Sequence, residues 1–511
     1  MNTRSPDDAV IVAIDAGTTG IRAFAVDSSG TPVGRSYKEF TQYFPEPGLV
    51  EHDADEIWTT TVEVLTDLTR SLGRTVAAIG ITNQRETAVA WDRQTGRPRS
   101  RAIVWQDRRT ADRCEQLSSD GHLPMVRERS GLVLDPYFSG SKFEWMIRHG
   151  GVKVDENLLL GTVDSWITWK LTGGAVHATE PSNASRTMLF DINHLAWSEE
   201  LCNLFGVPMD ALPTVLPSAG SFGVTEGNCG VPSGTPVTGI AGDQQAALFG
   251  QACTSPGMAK NTYGTGSFVL MNTGENSPGP KDGLLTTVAW TVPGSMLGES
   301  TIRNVTHYAL EGAIFVTGAA VQWLRDGLKI IDSASDTEAL AASVEDPAGV
   351  VVVPAFTGLG SPYWDPHARG TILGITRGTG RAHIARAVVD SMTFQTRDVI
   401  EAMSAASGSE LRELRVDGGA AAMDMMLQMQ ADQLNCSVLR SSVAETTALG
   451  AAYLAGLGVG MWSSVDEIAT SWSADATFTP NPDRGPTEAA YELWRRGVSR
   501  SAGWASSMSS N

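Results

Sequence analysis

The chain opens on an apolar run, Val10 to Ile14, that stops at Asp15; after Gly17-Thr18-Thr19-Gly20 a second run extends from Ile21 to Val26. Two runs of strand length joined by a Gly-containing turn predict a β-hairpin with a carboxylate and two hydroxyls at its tip. From Asp53 to Leu72, Ile57, Thr61, Val64, Leu65 and Leu68 recur at helical spacing behind an acidic start, which predicts an amphipathic helix. TVAAIGIT, residues 75–82, reads as the next strand and delivers Asn83-Gln84-Arg85-Glu86 to its C-terminal end. Hairpin, helix, strand is an α/β order. After AIVWQDRRT comes a region read as one long helical stretch containing Asp135-Pro136-Tyr137-Phe138, and GTVDSWITWKLTGG and NASRTMLFDINHLAW read as scaffold rather than chemistry. Gly, Pro, Ser and Thr between Gly220 and Gly239 predict irregular loops, and PVTGIAG is a strand opening onto a helix that starts near Asp243.

The second half repeats the opening. GMAKNTYGTGSFVLMNTG, Gly257 to Gly274, is again strand, Gly-Thr-Gly turn, strand, so the pattern predicts two related domains, 1–252 and 253–511, gripping one polyphosphate from both sides. A helix over AAVQWLRDGL, a buried strand in GVVVVPAF and a Gly/Pro-rich loop TGLGSPYWDPHARG follow. Ile384, Ala387, Val388, Val399 and Met403 mark one face of a long helix between His383 and Ala406. RVDGGAAAM is a strand with Asp417-Gly418-Gly419 opening a helix, where small residues let a flat ring lie near the backbone. The Met-rich helix MDMMLQMQADQLN reads as core filling.

At 511 residues the chain exceeds what one core usually serves, and 42% apolar with 19% charged residues is a globular composition. A formal charge of −19 argues against nucleic acid and anionic membranes as partners. The five cysteines, Cys114, Cys202, Cys229, Cys253 and Cys436, form no C-x-x-C pair, which supports neither a disulfide framework nor a zinc site and fits a reducing cytoplasm. MNTRSPDDAV is too polar for a signal peptide, and no run is long enough to span a membrane.

Three polar groupings carry chemistry. The first hairpin reads either as a phosphate cradle, with Asp15 holding a hydrated Mg²⁺, or as an ordinary polar turn. Arg85 beside Glu86 is either a donor fork and acceptor for a polyhydroxylated substrate or a solvated ion pair. Asp243 at a strand-to-helix junction is equally a helix cap and a general base. Trp105 and Tyr137, taken alone, read as core aromatics.

Together the two Gly-Thr hairpins, the Asp-Gly-Gly helix start and the separate turn carboxylates resemble the sugar kinase, actin and Hsp70 ATPase superfamily; no Gly-Lys dipeptide exists, so a Walker A loop is excluded. Within it the chain resembles the FGGY carbohydrate kinases, most closely those acting on glycerol. YFSGSKFEWMIRH, Tyr137 to His149, and GTILGITRGTGRAHIARAVVD, Gly370 to Asp390, match the two family signatures, and ITNQRET, GIAGDQQAALFGQ, YALEGAIF and PAFTGLGSPYWDPHARG extend the match along nearly the whole chain. The resemblance implies two RNase H-like α/β domains around a cleft, ATP-dependent phosphorylation of glycerol, Mg²⁺, and a homo-oligomer, dimer or tetramer. A kinase for another small polyol or ketose, or a non-catalytic nucleotide-dependent binder, are the alternatives. The implied polyol pocket is Arg85, Glu86, Trp105, Tyr137, Asp243, Gln244 and Phe268, with Asp243 as base. The implied nucleotide residues are Thr18, Thr19 and Arg22 on one side and Thr265, Gly318, Gln322 and Gly419 on the other, and Asp15 is the implied metal-positioning carboxylate.

The chain also departs from that pattern. Ala16, Gly20 and Ile21 stand where the glycerol-specific members carry Gln and Ser-Ser, and Met423-Asp424 stands where they carry Asn-Asn. Met423 is therefore expected to pack on the adenine by dispersion, with Asp424 reaching the ribose. The loop from Gly220 to Gly234 lacks the Gly-Lys-Gly that some members use for an allosteric sugar phosphate, so that inhibition is not implied.

Overall fold

The computed structural model describes residues 9–298, 300 and 303–505. Two mixed sheets organise it, and both are built on the same plan. In the first, the strand order is Val237–Gly242, Thr75–Asn83, Ala9–Ala16, Gly20–Val26, Pro32–Glu39. The first three of these run parallel and the opening hairpin adds two antiparallel strands. In the second, Ser437–Ser441, Glu413–Asp417 and Met258–Tyr263 run parallel, and Ser267–Gly274 and Asn304–Ile314 extend them antiparallel. The repeated hairpin thus carries a repeated sheet.

Alternation along the first strand explains the layers. Val10, Val12 and Ile14 pack with Ile57, Val64, Leu65 and Leu68 of helix Ala54–Leu72. That helix is capped by Asp53, whose side chain accepts from Asp55 N and Glu56 N. Ile11 and Ala13 face the other way, onto Ala246 of helix Asp243–Gly250 and Ala451 and Leu454 of helix Thr446–Gly458. The latter helix, late in the chain, therefore lies on the first sheet. It crosses helix Asp243–Gly250 so closely that a Cβ on Gly450 would sit 1.8 Å from Ala246 O. In the second half, helix Arg381–Ser407 and the Met-rich helix Asp424–Leu434 fill the core with Val388, Val399, Met403, Met426 and Leu427.

Several expectations change. Asp135–Phe138 is not inside a helix; it links helices Leu123–Ser130 and Ser139–Arg148, because Pro136 and the Asp135 side chain, which accepts from Tyr137 N at 2.8 Å, favour a turn. AAVQWLRDGL is α-helical only from Gly318 to Gln322 and then widens, with Leu328 N bonded to Trp323 O at 2.9 Å. Asp417-Gly418-Gly419 leads into a short 3₁₀ turn, Gly419–Ala422, and the α-helix starts only at Asp424. GVVVVPAF contributes just the three-residue strand Val351–Val353.

Candidate functional site

The site is assembled where the three parallel strands of the first sheet end level. Asp15 is in register with Thr82, and both Ala16 and Gly242 with Asn83. The next residues of each strand, Gly17-Thr18-Thr19, Gln84-Arg85-Glu86 and Asp243, must then meet at one edge, where α/β sheets present ligand-binding groups.

Arg85 is the centre of that edge. Its side chain is buried, and it forks onto Glu311, with Nη1 to Oε2 at 2.5 Å and Nη2 to Oε1 at 3.3 Å. Nη1 also donates to Gln245 Oε1 at 3.1 Å and Nη2 to Tyr137 OH at 3.3 Å. Its Nε lies 3.1 Å from Asp243 Oδ1 without hydrogen-bond alignment. A second buried guanidinium, Arg186, donates from Nε to Glu86 Oε1 at 2.6 Å and from Nη2 to Glu311 Oε1 at 2.9 Å. Glu311 comes from Asn304–Ile314 in the second sheet, so this buried network joins the two halves. Burial alone would raise the Glu311 carboxyl, but Arg186 and Arg85 hold it down at about 2.

Asp243 is the first residue of its helix, with Gly242 at the cap position. Its Oδ1 accepts from Gln244 N at 2.7 Å, while a third of the side chain stays exposed, at 32%. Desolvation raises its carboxyl above the ordinary range, with Arg85 opposing. Asp15 is likewise raised, to about 6, by desolvation, against the pull of Arg22 and with Asp243 adding to the rise; Arg22 Nη1 donates to it at 3.3 Å. Among the described residues no three His, Cys, Asp or Glu side chains converge on a metal position. Two carboxylates that feel each other, at a turn with free amides, are the donor set that suits Mg²⁺, which keeps most of its waters and takes one or two carboxylates beside phosphate oxygens.

The polyol residues implied by the resemblance come from several elements around this edge. Trp105 meets Tyr137 edge-on, with ring centroids 5.6 Å apart at 78°. Glu86 sits at φ 63, the left-handed region that disfavours a side chain. Its carbonyl is held there by Ser139 Oγ at 3.0 Å and Lys142 Nζ at 3.3 Å, and Lys142 also donates to Tyr137 O. Gln244 Oε1 accepts from Lys260 Nζ, whose burial lowers its pKa to about 8. Phe268 is half-buried, opposite Thr262 across the strand pair, and packs against the cluster that includes Ala241 and Ala246.

Across from this edge, a cavity of about 550 Å³ is lined by Thr265, Gly318, Gln322, Gly419 and Met423, together with Val321 and Glu338. The second turn forms its floor: Gly318 N donates to Gly264 O at 3.0 Å and Ala319 N to Thr265 O at 2.9 Å. Gly418, at φ 89, lies so near Tyr263 that a Cβ would be 2.5 Å from its carbonyl, whereas Gly419 faces open space. Asp424 does not line the cavity; its carboxylate is paired with Arg440 at 2.7 Å. Arg186, Gln245, Lys260 and Glu311 escaped the sequence reading. The available signal was a lone charge inside an apolar run, as in YALEGAIF and NASRTMLF.

Residues 10–250 match the N-terminal domain, and 259–459 the C-terminal domain, of the FGGY family of carbohydrate kinases. The chain is 53% identical over 503 residues to a glycerol kinase of Bordetella parapertussis, covering 97% of each. It is 52% identical over 502 residues to glycerol kinase 2 of Thermotoga maritima, covering 97% of this chain and 99% of that one. Its fold superposes on the crystal structure of Plasmodium falciparum glycerol kinase with ADP at a TM-score of 0.90, with 35% identity over 96% of this chain and 98% of the other. Gluconate kinase from Lactobacillus acidophilus, at 20% identity and a TM-score of 0.88 over 98% and 100% of the two chains, shares the fold. With both domain matches in sequence and a near full-length relative at more than half identity, this chain belongs to the FGGY family of carbohydrate kinases.

Proposed function

We propose that the chain transfers the γ-phosphoryl group of ATP to glycerol, giving glycerol 3-phosphate and ADP. The observation that carries this is the position of Asp243: a carboxylate one-third exposed, raised in pKa, 3.1 Å from Arg85, with only the end of strand Thr75–Asn83 between it and the phosphate turn. Arg85, Glu86, Tyr137 and Gln244 bind the hydroxyls, and Trp105 presses on the carbon chain. Phe268 belongs to the same wall through Thr262, its cross-strand partner, which Lys260 ties to Gln244. A site whose buried polar groups are completed by hydroxyls rejects analogues lacking them.

Asp243 accepts the proton of the terminal hydroxyl as its oxygen attacks phosphorus, and Arg22, Thr18 and Thr19 stabilise the charge on the phosphoryl oxygens. Thr265, Gly318, Gln322, Gly419 and Met423 hold the nucleoside end. Asp15 would hold a divalent cation, which would supply further charge neutralisation at the phosphates. Unpaired cysteines support a reducing cytoplasm as the compartment, and the family resemblance supports a dimer or tetramer.

An ADP-release assay over a panel of small polyols and ketoses tests the substrate. Glycerol is expected to give the highest kcat/KM; ATP hydrolysis indifferent to every polyol would instead mark a nucleotide-dependent binder. In Asp243→Asn the fold and glycerol affinity are expected to remain while kcat falls by about 10²–10⁴, and a near wild-type kcat would remove the base assignment.

A further inference from the structure

The phosphate turn is held from behind by three side chains that the reaction itself does not use. Gln42 Nε2 donates to Thr18 O at 2.8 Å, and Gln84 Nε2 donates to Gly17 O at 3.0 Å. Between the two glutamines stands His52, fully buried, with Nε2 2.7 Å from Gln42 Oε1 and Nδ1 3.3 Å from Gln84 Nε2. Thr87 Oγ1 closes the chain by donating to Gln84 Oε1 at 2.9 Å.

Donor and acceptor roles in this chain are forced. A backbone carbonyl only accepts, so both glutamines must turn their NH₂ groups to the turn. Gln42 then offers its oxygen to His52 Nε2, which must carry the proton, and Gln84 offers N–H to His52 Nδ1, which must be bare. The imidazole is neutral in that tautomer, and burial lowers its pKa to about 4. Because a trans peptide points its C=O and N–H in opposite directions, capturing Gly17 O and Thr18 O aims the amides of Thr18 and Thr19 away from the relay. Among the described residues neither amide has a partner, and Thr19 is exposed.

Resting on the kinase reading above, we infer that Gln42, His52 and Gln84 are positioning residues: they fix the peptide planes of the Gly17–Thr19 turn so that its amides are pre-aimed at the nucleotide's phosphate oxygens. Ala16, Gly20 and Ile21 give this turn few side-chain donors, which places more of the phosphate on the backbone. Without His52, Gln42 Oε1 loses its donor and Gln84 is steadied from behind by Thr87 alone, so both amides hold their carbonyls, and the peptide planes behind them, less rigidly.

The test compares His52→Leu, His52→Gln and Gln42→Leu with wild type by steady-state kinetics and by calorimetric titration with ADP. Loss of one orienting hydrogen bond predicts a rise of about five- to ten-fold in the KM for ATP and the Kd for ADP in His52→Leu and Gln42→Leu. The KM for glycerol is expected to stay within two-fold, and His52→Gln, which restores a donor toward Gln42, is expected to recover part of the loss. Gln42→Leu, on a half-buried residue, keeps the test open if a His52 variant does not fold. Unchanged ATP and ADP parameters, or equal losses toward ATP and glycerol, would overturn the relay. A wild type that binds ADP but does not turn over glycerol would overturn the kinase reading alone.

Discussion

The indole Nε1 of Trp105 donates a hydrogen bond to Thr18 Oγ1 at 2.9 Å, so a wall of the proposed polyol pocket is fastened to the proposed phosphate turn. The same tryptophan's backbone N donates to Thr87 Oγ1 at 3.3 Å, and Thr87 supports Gln84 behind that turn. One residue thus bonds to both the Gly17–Thr19 turn and the side chain that supports Gln84 behind it.

That fastening predicts non-additivity. Trp105→Phe keeps a ring against Tyr137 but removes the donor; Thr18→Val removes the acceptor at nearly constant volume. Each single variant is expected to lower kcat/KM for both substrates. The double variant should fall no further than the worse single, giving a coupling energy of about 1 kcal/mol in a double-mutant cycle. Additive losses would mean that the two residues act separately.

A second prediction concerns the charge balance at the sheet edge. Arg85, Arg186 and Lys260 face Glu86, Glu311 and Asp243, three cations against three anions in a largely dry space. Glu311 is fully buried and holds both guanidinium groups. Glu311→Gln leaves them partly uncompensated, and breaking a buried pair from one side costs about 3–5 kcal/mol, to be read from urea unfolding. The pH dependence has a definite sign. The folded carboxyl is lowered from 4.5 to about 2, so its contribution is fully present above pH 4.5 and is lost as pH falls toward 2. The Gln variant is expected to lack that part of the acid limb.

These two relationships show where the sequence was readable and where it was not. Turn chemistry and period are local, so the hairpins at Gly17–Gly20 and Gly264–Gly266, and the strand that delivers Arg85, could be read directly from the chain. The repeat of one hairpin in the other even anticipated the matching sheets. Arg85–Glu311 joins residues 226 positions apart and Trp105–Thr18 joins residues 87 apart; no periodicity encodes such pairs. Glu311 looks like an ordinary strand residue until the second sheet carries it against the first. Helix Thr446–Gly458 is similar: its composition announces burial on all sides, but not that it packs on the first sheet, where a Cβ on Gly80 would sit 2.2 Å from Ala451 O. The Asp424–Arg440 pair, 2.7 Å apart, is of the same kind, since Arg440 comes from strand Ser437–Ser441.

The last prediction follows from Met423. It lines the proposed nucleoside cavity beside Val321, Ala420 and Ala422, an apolar wall suited to packing on a flat ring through dispersion. Dispersion depends on shape and area rather than on the pattern of donors and acceptors along a base edge, so Met423 favours adenine over guanine weakly. An Asn at 423 offers an amide that pairs with one base edge and not the other. Met423→Asn is therefore expected to lower the KM for ATP and to raise the ratio of kcat/KM for ATP over GTP by about five-fold, the worth of one hydrogen bond gained. The residue is half-buried against the second core, where Met426 and Leu427 do the packing, so the fold is expected to tolerate the change. Equal ATP-to-GTP ratios in the two proteins would show that nucleobase choice is made elsewhere in the cavity, with Gln322, Arg325, Ser335 and Glu338 among the other polar groups to test.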